Sequence, residues 1–268
     1  MKETKKDINE EIIIIGGITF VVPLIIIVAG LIQTLIYSYI LKSTLKKDVK
    51  RSKSINNMLG VKDKWSVYIL DEKMPTAFCF ISKNIYISKG LEKILNEREI
   101  MAVLLHEAYH IKNYHVLQRL IARYPLLMII FTTFINFPFI NIFILAFFIL
   151  LIRNAHIISD VLIGRIQELN ADTYPVKFGY ADEIKSALEK LIGFYNKIRD
   201  SQGYCDMICK FERKINELLD EHPSLEKRVR NILKSKKAHG YAIAMSKKQS
   251  VDIKRIKEFA TDFIRVAP

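Results

Sequence analysis

Two long apolar runs stand out from the mixed pattern of apolar and polar positions along the chain. Residues 12–41 carry no charge, and a second uncharged run fills 124–152 between Arg123 and Arg153. About 20 apolar residues cross a bilayer as a helix, so the first run predicts a transmembrane anchor. A cleaved signal peptide is the alternative, but the run is longer than a usual signal and no Ala-x-Ala-like site follows it.

Shorter periodic patterns predict a folded domain around the second run. Residues 65–70, 77–81 and 84–88 are rich in aromatic and β-branched side chains, which predicts a small antiparallel sheet. Asn96 followed by Glu99 is a helix-capping pattern, and the apolar residues after it have helical spacing. We therefore expect a mainly helical α+β domain with one small sheet.

Apolar residues at helical spacing predict three more helices, at 181–199, 205–219 and 224–235. The tail at 249–266 shows the same spacing with basic residues between the apolar ones. It is either a helix docked on its own domain or a helix lying on a membrane surface. The polar, lysine-rich residues 42–64 are interpreted as a juxtamembrane connector.

The positive net charge indicates an anionic partner. The 268 residues carry a formal charge of +13, and half of them are hydrophobic. This charge suits nucleic acid or anionic lipid headgroups, and the apolar runs favour lipid and argue against nucleic acid. Charges before the first run are mixed, whereas six Lys and Arg residues lie between 42 and 53. The positive-inside rule then predicts a cytoplasmic location for most of the chain.

The cysteines give little support to a disulfide framework. Cys79, Cys205 and Cys209 are an odd and sparse set, which is typical of a reducing compartment. Cys205 and Cys209 lie one helical turn apart, but the second pair that a structural zinc site needs is not near them in the sequence.

The helix that begins near Asn96 contains His106-Glu107-Ala108-Tyr109-His110, a His-Glu-x-x-His motif. Residues four apart share one face of a helix, so both imidazoles can bind one ion while Glu107 lies beside it as a base. A surface helix with two incidental histidines is the alternative. His115 and His156 lack ligand spacing and are interpreted as structural or membrane-interfacial.

A second acidic element follows the apolar run 124–152. Glu168 offers a third metal ligand, and Asp172, one helical turn later, can hydrogen-bond the outer nitrogen of a ligand histidine. Three protein ligands leave a position for water, which is typical of a catalytic zinc site. A solvated or helix-capping acidic pair is the alternative.

These motifs together resemble the family that contains the heat-shock membrane protease HtpX and the CAAX prenyl endopeptidases. The resemblance covers about residues 65–233, and it includes the order of strands before the motif and the element His222-Pro223 with Arg228. One departure is Tyr109, where the family usually has a small residue.

The resemblance implies a zincin-like metallopeptidase domain with one Zn²⁺ per chain and Glu107 as the catalytic base. It implies that an extended substrate pairs with the edge strand formed by Ala77, Phe78, Cys79 and Phe80. His222 is either a stabiliser of the transition state or the cap of the helix that follows it.

The predicted ligands constrain the second apolar run. His110 precedes the run and Glu168 follows it, so a shared metal ion requires the chain to return, and we expect a membrane-inserted helical hairpin with its tip near 136–141. Along the chain we expect a tail at 1–11, a transmembrane helix at 12–41, a connector at 42–64, the first half of the peptidase domain at 65–123, the hairpin at 124–152, the second half of the domain at 153–235 and a basic tail with an amphipathic helix at 236–268.

The sequence therefore predicts a membrane-bound zinc endopeptidase that acts on membrane or membrane-proximal proteins, in quality control or processing, with a cytoplasmic catalytic domain. The alternative is a catalytically silent sensor or binding protein with a peptidase fold.

Overall fold

The computed structural model describes residues 2–62, 64–136, 146–147, 150–151, 160–201 and 223–240. The helix expected at 205–219, the tail at 249–266 and most of the second arm of the expected hairpin lie outside these residues.

The first apolar run forms a helix, as predicted. Helix α1, Lys2–Thr44, contains the whole of 12–41 and includes Pro23. Its part Phe20–Thr44 is long and apolar enough to cross a membrane, and most of its large apolar side chains are exposed. The helix therefore has an apolar surface that its own domain does not cover.

The residues expected to form a connector are folded. Strand β1, Lys46–Asp48, is followed by helix α2, Val49–Met58, whose first turn is capped by the side chain of Asp48. Arg51 of α2 is buried and pairs with three carboxylates, those of Asp48, Glu92 and Glu97. The lysine-rich composition concealed these elements because most of the lysines are exposed and only this one basic residue points inward.

The sheet is mixed, so the prediction of an antiparallel sheet is wrong for one pair. Strands β2 (Ser66–Leu70), β3 (Ala77–Cys79) and β4 (Asn84–Ser88) join β1 in the order β1-β2-β4-β3. The pairs β1–β2 and β3–β4 are antiparallel, but β2 and β4 run parallel. The chain passes from β2 to the far edge and returns through the centre, and four of the five β4 residues are buried, as in a strand flanked on both sides.

Helix α4 lies against this sheet and positions the predicted motif. Helix α3, Lys89–Ile94, leads to α4, Glu97–Lys112, and the side chains of Asn96 and Glu99 form the predicted capping box. Leu104 and Leu105 of α4 share the main apolar core with Ile85 and Ile87 of β4. The motif helix is therefore fixed at its start by the cap and along its length by the core.

The chain changes direction immediately after the motif. Tyr114 has a left-handed backbone with φ of 54°, and α5, His115–Asn136, starts at the next residue. Helix α5 packs along α1, and the hydroxyl of Tyr124 donates to the carbonyl of Phe20 at 3.3 Å. The motif helix therefore does not continue as one rod into the second apolar run.

The chain returns to α4 through a π-helical turn, Asp160–Gly164, and helix α6, Arg165–Thr173. A 3₁₀ turn, Pro175–Phe178, leads to α7, Ala181–Ser201, and residues 225–240 form α8. The helices predicted at 181–199 and 224–235 are confirmed.

Candidate metal centre

Two helices carry the residues predicted as metal ligands. His106 and His110 lie one turn apart on α4, so both rings project from one face. Glu168 lies on α6, which packs against α4. All three side chains are buried, and one donor atom from each lies within 4.8 Å of the other two.

The spacing of the donor atoms suits zinc. The Nε2 atoms of His106 and His110 are 3.1 Å apart, and they lie 3.4 and 3.3 Å from the carboxylate oxygens of Glu168. Tetrahedral zinc with bonds of about 2.0–2.1 Å separates its ligand atoms by about 3.3 Å. Two imidazoles and one carboxylate at this spacing therefore fit the ion.

A buried ion pair between Asp172 and Arg228 lies against the outer nitrogen of His106. Asp172 Oδ1 lies 3.1 Å from His106 Nδ1, a hydrogen-bond distance with imperfect alignment. Arg228 of α8 donates two hydrogen bonds of 2.7 Å to Asp172, and its Nη2 lies 3.6 Å from Glu168. Since Asp172 is 0 % exposed, its charge depends on this guanidinium. Asp172 thus lies behind a candidate ligand, and an arginine from a distant part of the sequence completes the arrangement.

His115 lies against the second candidate ligand. Its Nδ1 is 2.8 Å from His110 Nδ1, and the two rings are nearly perpendicular. Tyr109 packs edge-on against His115 and also contacts Tyr174. His115 is buried beside the candidate ligands, so of the two predicted alternatives the structural one agrees with the structure and the membrane-interfacial one is wrong. Tyr109, the departure from the family, has a packing role. The lack of ligand spacing concealed His115 because the turn at Tyr114 breaks the helical register.

Glu107 borders a cavity of about 1010 Å³. The cavity is also lined by His106, by Ala77 at the start of β3, by Tyr195 of α7 and by Arg228. Glu107 is half-buried, whereas the candidate ligands beside it are buried. A molecule in the cavity can therefore meet both the base candidate and one edge of the ligand cluster.

The predicted substrate strand is at the edge of the sheet, beside this cavity. Ala77 borders the cavity, and Cys79 Sγ lies 3.5 Å from the backbone carbonyl oxygen of Glu107. Phe80, which was predicted within the strand, follows its last residue, Cys79, and its ring meets Tyr37 of α1 edge-to-face with centroids 5.7 Å apart. The edge strand therefore runs from the cavity to the apolar helix.

Burial and neighbouring charges separate the pKa values of the three histidines. Burial lowers the pKa of His106, but Asp172 and Glu168 outweigh it and raise the pKa to about 10. Burial and the charge of His106 lower the pKa of His110 to about 3. Burial chiefly lowers the pKa of His115 to about 4. A metal ion at His106 Nε2 therefore has to displace a proton.

Arg119 is a further residue beside the candidate ligands that the sequence did not predict. Arg119 of α5 donates to Gln167 Oε1 at 2.8 Å, and its Nη2 lies 3.5 Å from Glu168. Arg119 lies four residues before Arg123, which bounds the apolar run, and nothing in its local sequence indicated a place in the site. His222, His156 and the pair Cys205 and Cys209 are outside the described part of the chain.

Sequence comparison connects the chain to known peptidases. Residues 41–236 match Peptidase family M48. The chain is similar to a Protease HtpX homolog of Sulfurovum sp. (strain NBC37-1), with 26% identity over 189 residues that cover 62% of this chain and 68% of that protein. It is also similar to a Protease HtpX homolog of Campylobacter concisus (strain 13826), with 41% identity over 56 residues, or 19% of each chain.

The fold is similar to that of a solved structure, Ste24p of S. mikatae. The TM-score is 0.56 at 21% sequence identity, and the match covers 80% of this chain and 57% of the Ste24p chain. At this identity the likeness concerns the fold alone, and the chain spans little more than half of Ste24p. Because the family match extends over most of the sequence, the chain belongs to peptidase family M48, a family of zinc metallopeptidases.

Proposed function

We propose that this chain is a membrane-anchored zinc endopeptidase that hydrolyses peptide bonds of membrane or membrane-proximal proteins. The observation that carries the proposal is the convergence of His106, His110 and Glu168 at donor spacings of 3.1–3.4 Å. The cavity lined by Glu107 lies beside them. The donor set and the adjacent carboxylate are those that metal-assisted hydrolysis requires.

His106 Nε2, His110 Nε2 and Glu168 would hold one zinc ion. When bound, zinc supplies a Lewis acid that polarises a peptide carbonyl and acidifies a water molecule. Glu107 is the proposed base, which takes a proton from the attacking water and delivers it to the leaving amine. Asp172 fixes the ring of His106 and favours a proton on its outer nitrogen, which leaves Nε2 available for the metal.

The substrate is proposed to pair with β3 in an extended conformation. An edge strand presents backbone groups to which a peptide can add as a further strand. Ala77 borders the same cavity as Glu107, so a peptide on this edge has its backbone beside the proposed base. His222 is proposed to stabilise the transition state, since its neighbour Pro223 lines the cavity. Capping of the following helix is its alternative role.

The membrane location is supported by α1 and α5. Phe20–Thr44 of α1 can cross a bilayer by length and composition, and α5 packs along it. Because His110 and Glu168 lie 3.3 Å apart, the chain that leaves through α5 returns to its starting side. This supports a hairpin for 124–152, and from the positive-inside rule we propose that the site lies in the cytoplasm. The proposed role is processing or quality control of proteins in the same membrane.

Anionic lipid headgroups are the second proposed partner. Lys47, Lys53 and Lys62 are exposed and line a cavity of about 310 Å³ close to the end of α1. A basic cluster directly after a membrane helix attracts anionic lipid, by about 1 kcal/mol per residue near the surface. Lys47 follows the end of α1 at Thr44 by three residues and shares this cavity with Lys53 and Lys62, which supports contact of the cluster with the headgroup layer.

The experiment compares the wild-type protein with Glu107→Gln, both purified in mild detergent and loaded with zinc. Casein and a membrane-anchored test protein serve as substrates, and metal analysis is done on the same samples. We expect both proteins to bind one zinc ion per chain and only the wild type to cleave. The loss in rate should be at least about 100-fold because general base catalysis contributes about 10²–10⁴-fold.

Glu189→Gln is the matched control. Glu189 is an exposed glutamate of α7, and among the described residues its ion pair is with Lys185, one helical turn earlier. Its cleavage rate should equal that of the wild type. Zinc binding without cleavage in the wild type would favour the silent sensor or binding protein. Equal cleavage by wild type and Glu107→Gln would refute the assignment of the base.

A further inference from the structure

The outer nitrogen of His110 faces another histidine. His110 Nε2 lies 3.3 Å from Glu168, and its Nδ1 on the other side of the ring lies 2.8 Å from Nδ1 of His115. At this distance one nitrogen donates a proton and the other accepts it. Both rings are buried, so water does not compete for this hydrogen bond as it would at the surface.

The direction of this hydrogen bond follows from the role of His110. A histidine that binds a metal through Nε2 keeps its proton on Nδ1, so His110 must be the donor. His115 must then accept at Nδ1 and carry its own proton on Nε2. We propose that His115 is a positioning residue, which fixes the tautomer and the ring orientation of His110 for zinc.

Two features hold His115 in place. The left-handed backbone at Tyr114, with φ of 54°, turns the chain so that the first residue of α5 folds back toward His110. The ring of Tyr109 packs edge-to-face on His115, with centroids 5.4 Å apart, and rests on Tyr174 with centroids 5.2 Å apart. A small residue at 109 would leave the ring of His115 without this contact.

The two candidate ligand histidines are thus supported by different chemistry. His106 has the carboxylate of Asp172 behind it, whereas His110 has a neutral imidazole. The outer partners of ligand histidines typically change metal affinity by about 10–100-fold. Since a neutral acceptor is weaker than a carboxylate, we expect about a tenfold effect, at the lower end of this range.

A pair of variants separates hydrogen bonding from packing. In His115→Asn the amide oxygen can take the position of Nδ1 and accept the same proton, whereas His115→Leu fills similar space without an acceptor. Zinc affinity is measured by competition with a chromophoric chelator, and the metal-free proteins are compared by thermal unfolding. We expect His115→Leu to bind zinc about tenfold more weakly and His115→Asn to stay within about threefold of the wild type.

The visible absorption of the Co²⁺-loaded proteins adds a readout of ligand geometry. It should change in His115→Leu and be restored in His115→Asn. Tyr109→Ala, which leaves the hydrogen-bonding groups intact but loosens His115, should weaken zinc binding by less than His115→Leu does. If His115→Leu does not fold, Tyr109→Ala replaces it as the variant in which the support of His110 is weakened.

Equal weakening in His115→Leu and His115→Asn would show that His115 acts only by packing, and unchanged affinity in both would show that it has no role toward the metal. Either result overturns this proposal and leaves the proposed peptidase function standing. The proposal rests on His110 being a ligand, so a wild-type protein that binds no zinc would overturn both. Cleavage that survives Glu107→Gln would overturn only the function.

Discussion

Replacing Arg228 should destabilise the protein strongly because it breaks the buried ion pair between Arg228 and Asp172. Arg228 donates two hydrogen bonds of 2.7 Å to Asp172, which is 0 % exposed. In Arg228→Met the carboxylate of Asp172 loses both bonds and the stronger of its two cationic partners, and His106 at 3.1 Å is the one that remains. Breaking a buried pair from one side costs about 3–5 kcal/mol, which is a large part of the free energy of unfolding of a typical domain.

A series of variants measures this dependence. Arg228→Lys keeps the charge but loses the two-pronged geometry, so it should lie between the wild type and Arg228→Met. The double variant Asp172→Asn/Arg228→Met removes the charge of Asp172 as well, so it should recover at least about 1 kcal/mol relative to Arg228→Met alone. Urea unfolding of the metal-free proteins in mild detergent gives the free energies.

The reasoning would be refuted if Arg228→Met cost less than about 1 kcal/mol, which is the range of a surface ion pair. It would also be refuted if the effects of the two substitutions simply added, because additivity is expected only of independent sites.

Three further predictions follow from particular contacts. Gly90→Ala should lower the free energy of unfolding by about 2–3 kcal/mol, the upper range for overpacking. The reason is that an added Cβ would lie 2.1 Å from the carbonyl oxygen of Lys73. Unchanged urea unfolding would contradict this prediction. Metal-free protein should lose stability from pH 7 to 5, because the pKa values of His110 and His115 are lowered to about 3 and about 4, so the unfolded chain takes up protons near pH 6.5 that these two folded histidines do not. The raised pKa of His106 opposes this loss by only about 1 kcal/mol, because folded His106 is already protonated at pH 7. The loss is at most about 2 kcal/mol per histidine, and equal stability at both pH values would count against it. Glu168→Gln should lower zinc affinity at least about 100-fold while the metal-free fold persists, as measured by chelator competition, since an anionic ligand is lost.

The site could be predicted where the chemistry follows local spacing. The His-Glu-x-x-His spacing and the capping pair Asn96 and Glu99 both act within one helix, and the structure has the helix, the cap and the shared face of His106 and His110. Glu168 could also be predicted, because a buried metal site needs a third donor and an acidic element follows the apolar run.

Features that depend on tertiary contacts could not be predicted in this way. Alternating apolar residues define a strand but not its neighbours, so the parallel pairing of β2 and β4 was missed. Arg51 looked like one of many juxtamembrane cations in the sequence, but in the structure it pairs with the nearby Asp48 and with two carboxylates from a later part of the chain, Glu92 and Glu97. The contact of His115 with His110 was not predicted because it depends on a turn at one residue with positive φ, which no spacing rule includes.

The central claim is that His106, His110 and Glu168 hold a zinc ion beside Glu107. X-ray absorption at the zinc edge of the zinc-loaded protein tests it most directly. The account predicts nitrogen and oxygen ligands at about 2.0–2.2 Å, including two imidazoles, and loss of this signature in Glu168→Gln at limiting zinc. Sulfur at about 2.3 Å would instead indicate a cysteine site, and a spectrum unchanged by Glu168→Gln would contradict the assigned ligands.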